Sequence, residues 1–261
     1  MVGRAGDLNP WQHMQSVTGH VQTLQITEPG LSFDAATCTG LDLSRANVLF
    51  NAKASVFERC DFSRARLRGG TLGTSPQCLY RECRFDRADL RGVQPGNARF
   101  ESCTFENARL DKWLCLSAEF VRCRFAGPIQ EVIFSARVFP PESAAALGRQ
   151  RNEFVENDFS NAELINVAFV RGLDLSAQQL PHGPEYVRVP TARIAGAREI
   201  VERWEPEARD AALKMLKFYS ERGYEEQVEL FVRRDRPSFV PEPVRNRIWD
   251  LLSMGSTPAW P

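Results

Sequence analysis

From Tyr80 to Phe125 a bulky side chain stands at nearly every fifth position: Tyr80, Phe85, Leu90, Pro95, Phe100, Phe105, Leu110, Cys115, Phe120 and Phe125. Two places before most of them is a small one: Cys78, Cys83, Ala88, Ala98, Cys103, Ala108, Ala118 and Cys123. The unit reads small, polar, bulky, polar, polar, as in ADLRG, ARFES, CTFEN and ARLDK. It extends upstream through Phe33, Cys38, Leu43, Val48, Phe57, Phe62, Leu67 and Leu72, and returns at Phe154, Phe159, Leu164 and Phe169. On an α-helix five residues advance about 500°, so these positions would spiral instead of forming a stripe. On a continuous strand, alternate repeats would face opposite sides. A chain that turns a corner every fifth residue keeps all of them inside, and four corners close a coil of 20. The chemistry does recur at that interval: Phe85, Phe105 and Phe125 are 20 apart, and so are Cys83, Cys103 and Cys123.

These nested periods resemble those of the pentapeptide-repeat family, over roughly residues 31–175. The resemblance implies a mainly β fold, a right-handed quadrilateral β-helix, here of about six coils and about 29 Å long at the usual inter-strand spacing. Three phase breaks interrupt it. Nine residues separate Val48 from Phe57 and eight separate Leu72 from Tyr80. The third is an excursion at about 127–151 that contains VFPPESAAALGRQ.

A β-helix leaves open edges at both ends, which need caps. Residues 1–30 are expected to cap one end, or to contribute an irregular first coil through GHVQTLQITEPG. Residues 176–190 read as a Pro-containing linker. Residues 191–261 read as helical: one helix over 191–204, one from Pro206 to a C-cap at Gly223, one from Tyr224 through Val228, Phe231 and Val232, and one after Pro243. Each shows a single apolar stripe, so the segment is expected to form a homodimer. LKFYSERGYEEQVELF is similar to the helix-Gly-helix appendage of some bacterial pentapeptide-repeat proteins. In those a membrane-spanning region often follows a segment resembling IWDLLSMGSTPAW, and this sequence stops with that segment, at Pro261.

The 261 residues carry 33 Lys and Arg against 33 Asp and Glu, a balance that excludes a polybasic nucleic-acid binder. No apolar run approaches the length that a spanning helix needs, and the N-terminus lacks the apolar core of a signal peptide. No membrane span is expected, and seven cysteines without an export signal read as reduced thiols of a cytoplasmic protein. The column Cys60, Cys83, Cys103, Cys123 suits either metal or redox chemistry, or plain filling of the small position where Ala is otherwise used. There is no CxxC pair, and His13, His20 and His182 lie outside the repeats, so filling is the expectation, with no metal and no cofactor. GxxxxGK[ST], HExxH and GxSxG are absent, which points away from an enzyme.

Charges outside the coil fall into columns whose sign mostly alternates: Glu58, Arg81, Glu101; Arg59, Glu82, Ser102, Arg122, Glu156; Arg66, Asp89, Arg109, Glu163. Cross-strand pairing favours such alternation. Two columns break it. Arg64 is expected over Arg87 and Arg68 over Arg91, in a stretch (57–99) with nine basic and five acidic residues. Arg64, Arg68, Arg87 and Arg91 are therefore candidates for binding an acidic partner, unless Asp86 and Asp89 neutralise them. The expected function is a protein-interaction scaffold with a protein partner. The family resemblance implies an alternative, the DNA-mimicking binders of DNA gyrase. A phosphate mimic should be clearly acidic, whereas residues 31–175 hold 19 basic and 18 acidic side chains.

Overall fold

The computed structural model describes residues 13–221 and 223–254, with Glu225 described by its backbone alone. Four ladders of short parallel strands run along the repeats, one on each side of the coil. One joins Cys38, Phe57, Tyr80, Phe100, Phe120 and Phe154. The next joins Asp42, Asp61, Arg84, Thr104, Arg124, Asp158 and Gln179, which counts about six coils. The third passes through Asn47, Arg66, Asp89 and Arg109, and the fourth through Asn51, Thr71 and Gln94, resuming with Cys115, Phe134 and Phe169.

Inside, the bulky positions stack on their equivalents one coil away. Phe62, Phe85, Phe105, Phe125 and Phe159 form one column with centroids 4.8, 5.0, 4.9 and 4.4 Å apart and nearly parallel rings. Phe57, Tyr80, Phe100 and Phe120 form a second, and rings of the two meet edge-on. Such contacts add to the roughly 1.5–3 kcal/mol from burying each side chain. The polar tips of the two buried rings that carry one are bonded: Tyr80 Oη donates to the Leu72 carbonyl at 2.8 Å, and Trp113 Nε1 to those of Leu90 and Val93.

The cysteine column is part of this packing. Cys83, Cys103 and Cys123 donate Sγ–H to the carbonyls of Phe57, Tyr80 and Phe100 at 3.3–3.4 Å. All seven cysteines are free and buried. Burial pushes the Cys38 thiol up to about 12 and the Cys78 thiol to about 11. At pH 8 the folded protein should therefore leave Ellman's reagent unreacted over an hour, and guanidinium should release all seven thiols. A fast-reacting native thiol would show an open coil.

The phase breaks are absorbed locally. At the first, Ser55 replaces the small residue, with its Oγ donating to Lys53 O at 2.8 Å and accepting from Ala36 N at 3.1 Å. After the second, Gly96 has a φ of +57°, and a Cβ there would lie 2.1 Å from Gly73 O, so no other residue fits. The excursion is shorter than expected. Arg124–Gln130 continues as a strand, and Ile133–Ser135 returns to the fourth ladder. Arg124 pairs with Asp158 but Ala126 with Asn161, so a bulge takes up the length difference and sets Ile129 beside Leu164. Only the stretch closed by the Arg137–Arg151 bridge leaves the coil, and it carries a single helical turn at Ser143–Leu147.

The two ends are built differently. Within the proposed cap 1–30, Met14–Val21 is a strand added in parallel to Gly30–Thr39, and residues 1–12 lie outside the described residues. The proposed linker 176–190 continues the last coil through Gln179 and then forms the strand Tyr186–Pro190. The third expected helix is instead one 3-10 turn, Tyr224–Glu226, and a strand, Glu229–Arg233, antiparallel to Tyr186–Pro190. Both strands alternate buried positions with more accessible ones, a period of two. Helices Thr191–Val201, Pro206–Phe218 and Glu242–Ser253 pack with this strand pair around Val189, Val201, Ala212, Leu216, Ile248 and Leu252. Their apolar stripes cover one another, which removes the reason for expecting a dimer. The module also closes the last coil. The Gln227 side chain accepts from Leu173 N at 2.7 Å and donates to Leu173 O at 3.1 Å, and Arg171 N donates to Gly223 O.

Candidate partner-binding surface

The corner after the second ladder is a tight turn that recurs in successive coils. Ala46, Ala65 and Ala88 donate N–H to Leu43, Phe62 and Phe85 three residues back, at 3.0–3.1 Å. The third residue of each turn is an arginine in left-handed conformation: Arg45, Arg64 and Arg87, with φ of 60°, 60° and 59°. That conformation costs an L-residue roughly 1–2 kcal/mol. Since Glu82, Ser102, Asn107 and Arg122 share it, the cost belongs to the coil's corners and not to arginine.

The register is continuous. Arg45 N bonds to Ser63 O, Arg64 N to Asp86 O and Arg87 N to Glu106 O, so the three arginines and then Asn107 lie one above another. With equal φ, they leave the coil in the same direction. All three are exposed, and no carboxylate is in ion-pair range of their guanidinium groups among the described residues. The acids at this corner are engaged elsewhere. Asp42 and Asp61 accept from the N–H of Ser44 and Ser63 at 2.8 and 2.7 Å, while Asp86 accepts from Glu106 N and pairs with Arg84 at 3.4 Å.

The four arginines picked from the sequence do not form one site. Arg64 and Arg87 line a cleft with Arg45 and Arg84. Arg68 and Arg91 line another, beside Arg66, Asp111 and Lys112. Arg91 makes a bidentate contact with Asp89, both bonds 2.8 Å, and this hydrogen-bonded guanidinium holds the Asp89 carboxyl below its ordinary range. Arg68 donates to Pro29 O at 3.1 Å. Asp89 thus neutralises its arginine, as weighed from the sequence. Asp86 instead spends its charge on Arg84 and leaves Arg87 with no acid in range among the described residues. Arg45 was missed because its coil is one residue short of 20: Asp42 pairs with Asp61. The repeated words LSRA, FSRA and FDRA at 43–46, 62–65 and 85–88 carried the signal.

Elsewhere the columns compensate. Arg81 bridges Glu58 and Glu101 at 2.9 and 3.1 Å, and Arg99 meets Glu101, Glu119 and Glu153. An apolar cleft between the last coils and the C-terminal module is lined by Tyr186, Phe218, Tyr224, Phe231 and Phe239. Its arginines are held by acids: Arg233 by Glu163 and Asp235, Arg236 by Asp235. Among the described residues no three His, Cys, Asp or Glu side chains are grouped to hold a metal ion, and no helix is long and apolar enough to cross a membrane.

No protein-family model matches the sequence, and no curated protein does. Among solved structures, a trypsin-treated variant of QnrB1, a plasmid-mediated fluoroquinolone resistance protein, is similar at 16% identity and a TM-score of 0.28, over 60% of this chain and 90% of that one. HetL, a pentapeptide repeat protein involved in heterocyst differentiation regulation from the cyanobacterium Nostoc sp., is similar at 11% identity and a TM-score of 0.21, over 65% and 88%. The chain's own geometry fixes the architecture: a five-residue period closed into coils of four parallel ladders is a quadrilateral β-solenoid.

Proposed function

We propose that this protein is a non-enzymatic, cytoplasmic interaction scaffold, a stiff solenoid that holds ordered side-chain columns against a protein partner. The observation that carries this reading is the Arg45–Arg64–Arg87 column, three exposed like charges in register with no acid bonded to their side chains among the described residues. Like charges stacked across strands are unfavourable, so the column calls for a counter-charge from outside. The coil interior, filled by rings, aliphatic chains and buried thiols, fits a scaffold, and seven free thiols fit a reducing compartment. The gyrase reading has less support, since the near-even charge of residues 31–175 does not imitate a phosphate backbone.

The test is capture from a native lysate on the full chain and on Arg64→Glu/Arg87→Glu, with gyrase supercoiling assayed in parallel. The wild type should retain a protein that the reversed variant loses, at equal melting temperature. Because the site is exposed, binding should weaken as salt is raised. Equal capture by both forms would make the arginines structural, and an effect on supercoiling would favour gyrase.

A further inference from the structure

The arginine ladder has a fixed pitch, and the pitch constrains what it can hold. Successive coils are about 4.8 Å apart, so Arg64 and Arg87 emerge about 4.8 Å and about 9.6 Å along the solenoid axis from Arg45. Their shared left-handed backbone makes them a straight row. An α-helix rises about 1.5 Å per residue, so side chains at i+3 and i+7 sit about 4.5 Å and about 10.5 Å beyond residue i on one face. That agrees with the ladder to within about 1 Å, well inside the reach of an arginine side chain. Same-face residues of an extended strand are spaced by about 6.7 Å, so the third lies about 13.4 Å from the first and has lost register.

The surroundings select further. The cleft around the ladder also holds Asp61, Asp86 and Glu106. A continuous polyanion laid along it would meet these carboxylates as well as the arginines. A helix with one narrow acidic stripe meets the guanidinium groups alone, and each carboxylate can accept two parallel N–H bonds.

We propose that the Arg45–Arg64–Arg87 ladder is the docking site for a partner α-helix carrying Asp or Glu at i, i+3 and i+7, laid parallel to the solenoid axis. This rests on the scaffold reading above and adds the partner's shape and register to it. Asn107, which continues the column one coil further, offers a neutral amide to the residue beyond the acidic triplet.

The probe is a stapled, alanine-based helical peptide of several turns, with glutamates at i, i+3 and i+7. Its control has the same composition with the glutamates at i, i+5 and i+6, about 140° and about 240° round the axis from the first, which scatters them around the helix. Binding to the full chain is read by fluorescence anisotropy at low salt and at about 0.3 M salt, where exposed charges are strongly screened. The in-register peptide should bind about tenfold or more tightly than the control, and the preference should shrink as salt rises. Arg45→Gln/Arg64→Gln/Arg87→Gln should erase the preference, while Arg68→Gln/Arg91→Gln should keep it. Circular dichroism and melting of both variants establish that each is folded. Equal binding of the two peptides overturns the proposal. So does no binding of either, or tighter binding of a single-stranded oligonucleotide or inorganic polyphosphate through the same arginines. If the peptides fail while lysate capture still depends on Arg64 and Arg87, the scaffold reading stands and the helical partner falls.

Discussion

Phe105→Asp is expected to abolish soluble expression, or to remove the β-type circular dichroism of whatever remains soluble. Phe105 is 1% exposed and stacked between Phe85 and Phe125, with centroids 5.0 and 4.9 Å away, and it meets Phe100 and Trp113 edge-on. Removing the ring alone costs about 3–5 kcal/mol. A carboxylate in its place, among rings and without a partner, costs several kcal/mol more. The sum is comparable with the roughly 5–15 kcal/mol that stabilises a whole domain. A solenoid makes the position worse than its own contacts suggest, because each coil is held only by its neighbours and Phe105 belongs to a middle one. Phe105→Leu, which keeps the site apolar, should fold with a lowered melting temperature. A soluble, β-rich Phe105→Asp protein melting with the wild type would put Phe105 outside the coil.

The solenoid was legible in the sequence because one physical requirement repeats: each side of a coil needs one bulky and one small residue inside. Phe85, Phe105 and Phe125 announce that requirement by type and spacing at once. What the spacing hides is slippage. Phe125 to Ile129 is one step short, and the bulge that repairs it depends on a strand that the chain forms only after the excursion. The excursion therefore looked longer than the Arg137–Arg151 stretch it is. The C-terminal strands were hidden for a related reason. YVRVP and ELFVR are short apolar runs whose ladder is made with each other across two intervening helices, and each alone passes for linker or helix. Val228, read as part of a helical stripe, is 86% exposed. The candidate site was half legible. Arginine over arginine followed from counting, but only side-chain geometry shows Arg91 tied to Asp89, and Arg64 to no acid among the described residues.

Glu119→Ala is expected to lower stability by about 3–5 kcal/mol, the cost of removing one partner from a buried ionic network. Glu119 is 5% exposed, and each carboxylate oxygen is bonded. Oε2 accepts from Gln77 Nε2 at 2.9 Å and faces Arg99 Nη1 at 3.2 Å. Oε1 accepts from Glu153 N at 2.9 Å and lies 3.5 Å from Arg149 Nη1. These partners come from the loop before one coil, from the coil below, and from the chain re-entering the solenoid after the excursion. One carboxylate thus fastens the excursion's return to two earlier coils. Without it, Arg149 keeps hydrogen bonds to Ser117 O and the Asn152 side chain but no acid in ion-pair range, since Glu119 is the only carboxylate within that range among the described residues. Arg99 retains Glu101 and Glu153. Most of the loss should therefore sit on Arg149 and on the Glu153 N–H. At roughly 2–4 °C per kcal/mol for a chain of this size, the melting temperature should fall by about 10 °C. Proteolysis should rise within residues 137–151 before it rises elsewhere. Arg149→Ala added to Glu119→Ala should cost less than the sum of the two changes made separately, because the second removes a charge the first has stranded. Strict additivity, or a Glu119→Ala protein melting with the wild type, would mean that water already satisfies these groups and that the excursion is held by its backbone alone.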